Sequence, residues 1–77
     1  MNNKQTFLTD YLLAELLKII MKKREVSMQD ALDILYNSQL YAKISDPRTG
    51  LYFQSADYNY EILEEELNHA NPVATNN

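Results

Sequence analysis

The titratable side chains of this chain offer little that could carry a reaction. His69 is the only imidazole, and there is no cysteine. A catalytic imidazole needs an oriented nucleophile or a second acid–base group beside it. At the predicted end of the last helix, a protonated His69 simply suits the negative end of the helix dipole. We therefore predict no catalytic residue, and we expect that the protein is not an enzyme.

The carboxylates near the C-terminus are the one candidate for metal binding: Asp57, Glu61, Glu64, Glu65 and Glu66. Calcium loops place their ligands along an irregular backbone with a glycine at the bend, whereas these residues share a predicted helix. Structural zinc is excluded because it needs several Cys and His ligands. The sequence thus predicts no metal and no cofactor.

The same acidic run has two interpretations that do not involve a metal. It is either a solvated helix face or a contact surface for a basic partner, with Glu61, Glu64 and Glu65 as candidate partner-binding residues. Neighbouring carboxylates on one helix repel one another. The nearest source of compensating charge in the chain is the triplet Lys22, Lys23 and Arg24.

Aromatic side chains form a second candidate surface. Five of the six tyrosines lie between residues 36 and 60, with Phe53 among them. Tyrosines bury apolar area while their hydroxyl keeps a polar partner, and they are enriched at interfaces. These residues either complete a core with a wet edge or line a recognition groove. The candidate groove is built from Tyr41, Tyr52 and Tyr58, and Phe53 is a further candidate partner-binding residue.

The charge distribution bears on the class of partner. The net charge is −4, but residues 1–24 carry five cations against two acids, and residues 25–77 carry two cations against nine acids. An acidic chain is repelled by phosphate backbones unless its cations gather on one face. Nucleic acid is therefore disfavoured as a partner.

No segment suggests a membrane. The longest uninterrupted apolar run is residues 11–14, whereas a spanning helix needs about 20 apolar residues. We also find no signal-peptide pattern. The absence of cysteine fits a reducing, cytoplasmic setting.

The element that must organise all these side chains is the stretch 7–21. Eleven of its fifteen residues are apolar, so the predicted helix is apolar over more than half its circumference and needs cover from several sides. That cover comes from the rest of the chain, a second copy or a partner. Thr6 is its predicted N-cap, residues 1–5 are expected to be frayed, and the basic triplet closes it.

Serines mark the starts of the remaining helices. Ser27, with Asp30 three residues later, approximates a capping box for a helix at 28–36. Ser38 caps a short helix at 39–44, and Ser55 caps the last helix at 56–69. Between them, Pro47 and Gly50 form a turn, and the segment 46–54 is predicted to be extended or a tiny hairpin.

Seventy-seven residues allow one domain at most. The predicted fold class is mainly all-α, an orthogonal bundle of three to four helices. The helical domain spans residues 6–70, and the polar tail 71–77 is expected to be disordered.

Three motifs follow one another along the chain: residues 26–28 (VSM), 33–38 (DILYNS) and 49–55 (TGLYFQS). Through them the chain resembles small bacterial domains of unknown function. Those domains have an apolar first helix, a serine-headed second helix with an acidic residue three positions on (Asp30 here), and a Thr-Gly turn before an aromatic segment and an acidic last helix. Members are often encoded beside toxin-like genes. The resemblance therefore implies an antitoxin-like or accessory role and assigns no catalytic residue.

Two functional hypotheses follow. The first is a protein-interaction module that binds a protein partner or pairs with itself as a homodimer. The alternative is a winged-helix-like DNA-binding domain, with residues 46–53 as the wing and residues 38–44 as the recognition helix. That helix carries a single cation, Lys43, and phosphate contacts dominate DNA affinity.

Overall fold

The long apolar stretch folds as one helix, α1 (Asn3–Arg24), in the computed structural model, which describes residues 3–70. It is followed by α2 (Met28–Tyr36), α3 (Gln39–Ser45), two 3₁₀ turns (Pro47–Thr49 and Leu51–Phe53) and α4 (Ala56–Ala70). Residues 3–70 contain no strand, so the all-α prediction is confirmed. The predicted disordered tail 71–77 lies outside the described residues.

The start of α1 differs from the sequence-based prediction. The helix begins at Asn3, three residues before the predicted cap Thr6, so residues 3–5 are helical rather than frayed. The side-chain amide of Gln5 donates a hydrogen bond to the hydroxyl of Tyr52 over 3.2 Å. A contact between residues so distant in sequence anchors this first turn, and the local pattern gives no sign of it.

The end of α1 is closed by a left-handed residue. Glu25 has φ +54°, and the backbone N–H of Val26 donates to the carbonyl of Met21 over 3.2 Å. This is the long hydrogen bond of a Schellman motif, in which glycine usually holds the position of Glu25. The basic triplet Lys22, Lys23 and Arg24 occupies the last turn, as predicted.

Serine side chains begin the next three helices at the predicted positions. The hydroxyl oxygens of Ser27 and Ser38 accept the backbone N–H groups of Asp30 and Tyr41, over 3.2 and 3.0 Å. Ser55 accepts the N–H of Tyr58 over 3.0 Å. Each bond satisfies a donor that the first turn of a helix leaves free.

The segment 46–54 is neither extended nor a hairpin, so that detail of the fold prediction is wrong. The Asp46 carboxylate accepts the N–H of Arg48 over 3.1 Å, and the Thr49 hydroxyl donates to the carbonyl of Lys43 over 2.7 Å. Gly50, at φ +70°, joins the two 3₁₀ turns. Hydrogen bonds from side chains of this kind compete with the backbone hydrogen bonds of a β-sheet. Residues 3–70 contain no strand with which the segment could pair.

The core gathers apolar side chains from all four helices: Leu12, Leu16, Ile20, Ala31, Leu35, Leu40, Ile44, Tyr60 and Leu63. α1 lies at its centre and contacts α2, α4 and the Leu51–Phe53 turn. The chain therefore covers one broad side of α1. Within residues 3–70, the opposite side is open near the start of α1, where Phe7 is 68% exposed and Tyr11 is 61% exposed.

Within residues 3–70, no helix combines the length and the apolar character needed to cross a membrane.

Candidate partner-binding surface

An apolar groove lies between the N-terminal half of α1 and the Leu51–Phe53 turn. Its walls are Leu8, Tyr11 and Leu12 on α1 and Tyr52 and Phe53 on the turn. Glu15, Gln54, Ser55 and Ala56 complete the lining, and the volume is about 190 Å³. We call this feature the aromatic groove.

Two hydrogen bonds hold the turn that forms one wall of the groove, and a third joins the Asn59 amide to Ser55. The Tyr52 hydroxyl accepts from Gln5 on α1. The side-chain amide of the fully buried Asn59 donates to the carbonyls of Leu51 and Ser55, over 3.2 and 3.0 Å. Through the bonds to Tyr52 and Leu51, α1 and α4 hold the turn in place.

The rings at the groove mouth are largely open to solvent. Phe53 is 64% exposed, and its ring lies 4.5 Å from that of Tyr52, centroid to centroid. Tyr11 faces the same groove from α1, and Phe7 is exposed one helical turn before it. Contiguous exposed apolar surface of this kind marks interaction sites on small proteins.

The structure divides the four predicted aromatic residues among three places. Tyr52 and Phe53 line the aromatic groove. Tyr41 instead packs edge-on against Tyr36, with ring centroids 4.8 Å apart. Tyr58 is half-exposed at the start of α4. The predicted groove of Tyr41, Tyr52 and Tyr58 is thus replaced by one that uses α1.

Sequence reasoning missed the α1 wall of this groove. It assigned Leu8 and Tyr11 to the general apolar surface of the first helix. The available signal was the spacing of Phe7 and Tyr11, two aromatic residues four positions apart on one helix face. Nothing in the sequence placed that face beside Tyr52.

The acidic residues of α4 separate into two groups. Glu61, Glu64 and Glu65 are exposed, and no ion pair reaches them from any described residue; the ion pairs found are Lys18–Glu15 and Arg48–Asp46. Glu66 turns inward instead. Its carboxylate accepts the backbone N–H groups of Gln39 and Leu40, over 2.7 and 3.1 Å, and so caps α3.

Among residues 3–70, no ion pair joins the basic triplet to the acidic run. The Lys23 ammonium lies 5.8 Å from the centroid of the Tyr60 ring, a cation–π arrangement. This contact places the end of α1 at the second turn of α4, before the glutamates begin.

A broader depression lies on another side, between α3 and α4. Gln39, Lys43, Ile62, Glu65, Glu66 and His69 line its volume of about 470 Å³. Lys43 and Glu65 bring opposite charges to it, and Glu66 is already engaged with α3. Across the described part of the chain, no three His, Cys, Asp or Glu side chains gather in a geometry that could hold a metal ion.

The turn before the groove carries the clearest electrostatic effect. The Arg48 guanidinium lies 2.7 Å from the Asp46 carboxylate, and hydrogen bonds from its side chain and backbone lower the pKa of Asp46 to about 2. The same pairing raises the pKa of Arg48. The ion pair closes the first 3₁₀ turn and stays fully ionised near neutral pH.

The DNA-binding hypothesis loses part of its structural basis. The segment expected to be the wing is two 3₁₀ turns. The expected recognition helix, α3, brings one cation, Lys43, in its last turn. A helix in the major groove usually gains its affinity from several phosphate contacts.

No protein-family model matches this chain, and no curated protein or solved structure matches it either.

Proposed function

We propose that this chain is a small protein-interaction module that holds a partner protein in the aromatic groove. The observation that supports the proposal is the groove itself, in which Tyr11 and Phe53 remain more than half exposed beside the apolar lining of α1. Covering apolar surface contributes about 25 cal/mol per Å² removed from water. A partner that buries these rings gains most of its affinity there.

The size of the groove favours a side chain over a metabolite. Its volume is about 190 Å³, whereas ligand pockets usually measure roughly 300–1,000 Å³. We infer that one apolar residue of the partner enters as an anchor. Anchors of this kind are typical where an amphipathic helix or a short peptide docks in a groove.

The charges beside the groove favour a basic partner. Ala56 lines the groove, and α4, which begins there, carries the exposed acids Asp57, Glu61 and Glu64, while Glu65 lines the depression on the other side. Basic residues flanking the anchor would be steered to these exposed acids, which raises the association rate more than the affinity. An acidic module that masks a basic partner suits the antitoxin-like or accessory role that the sequence resemblance implies.

A site-specific cross-link tests the proposal. A photo-activatable aromatic amino acid replaces Phe53 in one sample and Met28 in the other, since Met28 is 56% exposed away from the groove. Both proteins are irradiated in their native cells, and the adducts are identified by mass spectrometry. We expect one protein to be cross-linked from position 53 and not from position 28.

A substitution then tests the groove itself. Phe53→Ser is expected to abolish capture of the cross-linked partner, while the control Met28→Ser retains it. Equal capture by both variants, or equal adducts at both positions, would overturn the proposal. Duplex DNA offered at low salt tests the alternative, and a salt-dependent complex would favour it.

A further inference from the structure

The outer side of α1 carries a regular stripe of residues that the other described residues, 3–70, leave exposed. Phe7, Tyr11, Ala14 and Lys18 are all exposed and follow one another at intervals of four, three and four residues. This spacing keeps them on one face and is the spacing of a helix-pairing seam. We call these four residues the outer stripe.

The small side chain at the middle of the stripe allows another helix to approach α1 closely. Ala14 stands there as the smallest apolar side chain, and Phe7 and Tyr11 project on one side of it. α1 has 22 residues, which gives a length of about 33 Å. A second helix of similar length has room to lie along the whole stripe.

Charges along α1 are unevenly distributed about Ala14. Asp10 lies four residues before it, and Lys18 lies four residues after it. Lys18 pairs with Glu15 of its own helix over 3.1 Å, and its side chain remains 74% exposed. If two copies of α1 pair in antiparallel fashion about Ala14, Asp10 of each copy faces the partner's Lys18. A parallel pair would place like charges opposite each other. The charge pattern therefore matches the helix to a second, antiparallel copy of itself.

We propose that the chain forms a two-fold symmetric dimer in which the outer stripes of two α1 helices pack antiparallel across Ala14. This inference goes beyond the proposed function, because the occupant is a second copy and the contact is the stripe; Tyr11 borders both the stripe and the aromatic groove. One side of a helix about 33 Å long and 10 Å wide offers roughly 330 Å². Stable interfaces bury roughly 800 Å² per partner, so the dimer is weak and is populated only at high protein concentration.

Engineered cysteines test the geometry, because the chain has no cysteine of its own. A disulfide requires Cα atoms within roughly 7 Å. In the antiparallel dimer, two copies of Ala14→Cys meet at the two-fold axis. Two copies of Lys18→Cys stand about 12 Å apart along the axis, since eight residues separate them. Met28→Cys, an exposed position outside α1, reports random collision.

We expect Ala14→Cys to form a disulfide dimer about tenfold faster than Met28→Cys under mild oxidation, because the pair is held together before reaction. Lys18→Cys alone should match the Met28→Cys rate, but a mixture of Asp10→Cys and Lys18→Cys should link rapidly. Equal rates for Ala14→Cys and Met28→Cys would overturn the dimer. Rapid linking of Lys18→Cys with itself would overturn the antiparallel arrangement.

Charge reversal gives an independent measurement by sedimentation equilibrium. Asp10→Lys and Lys18→Asp should each weaken self-association, while an equal mixture of the two should restore a species of twice the 9.0 kDa monomer mass. Far-UV circular dichroism checks that each exposed variant is folded. Wild-type protein that remains monomeric at every concentration contradicts the proposal. Phe53→Ser lies outside the stripe and should leave the dimer intact, so failure of the groove and failure of the dimer are separate results.

Discussion

At the scale of single residues, Glu66 differs from the neighbouring glutamates of α4 because it caps another helix. Its carboxylate caps α3 through two backbone N–H groups, whereas Glu64 is exposed on the same helix. Removing a capping side chain typically costs about 1 kcal/mol. We expect Glu66→Ala to lower the free energy of unfolding by about that amount in a urea titration. Glu64→Ala should stay within about 0.5 kcal/mol of wild type, and equal effects would show that the cap contributes nothing.

The ion pair of Asp46 with Arg48 predicts a dependence on pH. Because the folded state lowers the pKa of Asp46 from 3.8 to about 2, the ionised carboxylate stabilises the fold. That contribution is complete above 3.8 and is lost as the pH falls through about 2. The pair lies at the surface, so the effect on stability is small.

The charge of Asp46 can be isolated with Asp46→Asn, which keeps a capping oxygen. The urea midpoint of wild type should exceed that of the variant near neutral pH, and the gap should close as the pH falls below 3.8. Carboxyl NMR of Arg48→Gln gives the complementary result, with the pKa of Asp46 returning upward. A gap that is constant with pH would show that the ion pair does not stabilise the turn.

At the scale of elements, the sequence predicted the helix starts correctly where a serine cap marks them, and it missed the start of α1. Ser27, Ser38 and Ser55 act through hydrogen bonds to residues three positions later, so a local pattern contains the whole signal. The start of α1 depends instead on Gln5 reaching Tyr52, 47 positions away in sequence. The 3₁₀ turns depend on side-chain bonds of Asp46 and Thr49, which compete with extended structure in a way that composition does not decide.

The end of α1 holds a residue in a conformation that favours glycine. Glu25 has φ +54°, and for a residue with a Cβ the left-handed region costs about 1–2 kcal/mol. A glycine at position 25 would remove this cost, but part of the gain is offset because glycine loses more conformational entropy on folding. We expect Glu25→Gly to raise the free energy of unfolding by about 0.5–1 kcal/mol, measured by urea titration. Glu25→Ala keeps the Cβ and should show no gain; a gain of similar size would assign the effect to the lost charge.

At the scale of the whole molecule, the candidate site arises where distant elements meet. Tyr52 and Phe53 were predicted as contact residues from their type, but their neighbours Leu8 and Tyr11 lie some 40 positions earlier. Residue types therefore indicated which side chains could bind a partner. They did not indicate which of them would share a surface, because that depends on how α1 packs against the Leu51–Phe53 turn and α4.

The two sides of α1 should respond in opposite ways to the same substitution. Leu16 is fully buried at the centre of the core, whereas Phe7 is 68% exposed. A buried carboxylate without a partner costs several kcal/mol, comparable to the roughly 5 kcal/mol of total stability that a small domain has. We expect circular dichroism to show that Leu16→Asp is unfolded at room temperature. The free energy of unfolding of Phe7→Asp should lie within about 0.5 kcal/mol of that of wild type.

The same comparison separates folding from recognition. The sequence pattern does not distinguish Leu16 from Leu17, but Leu17 is only half-buried in the structure. The stability of Leu17→Asp should therefore lie between those of Leu16→Asp and Phe7→Asp. Phe7→Asp should remain folded while losing self-association, because Phe7 belongs to the outer stripe. If Leu16→Asp melts like wild type, α1 is not the centre of the core. If Phe7→Asp is unfolded instead, the exposed side of α1 is needed for folding. The loss of self-association could then not be assigned to a contact with a second chain.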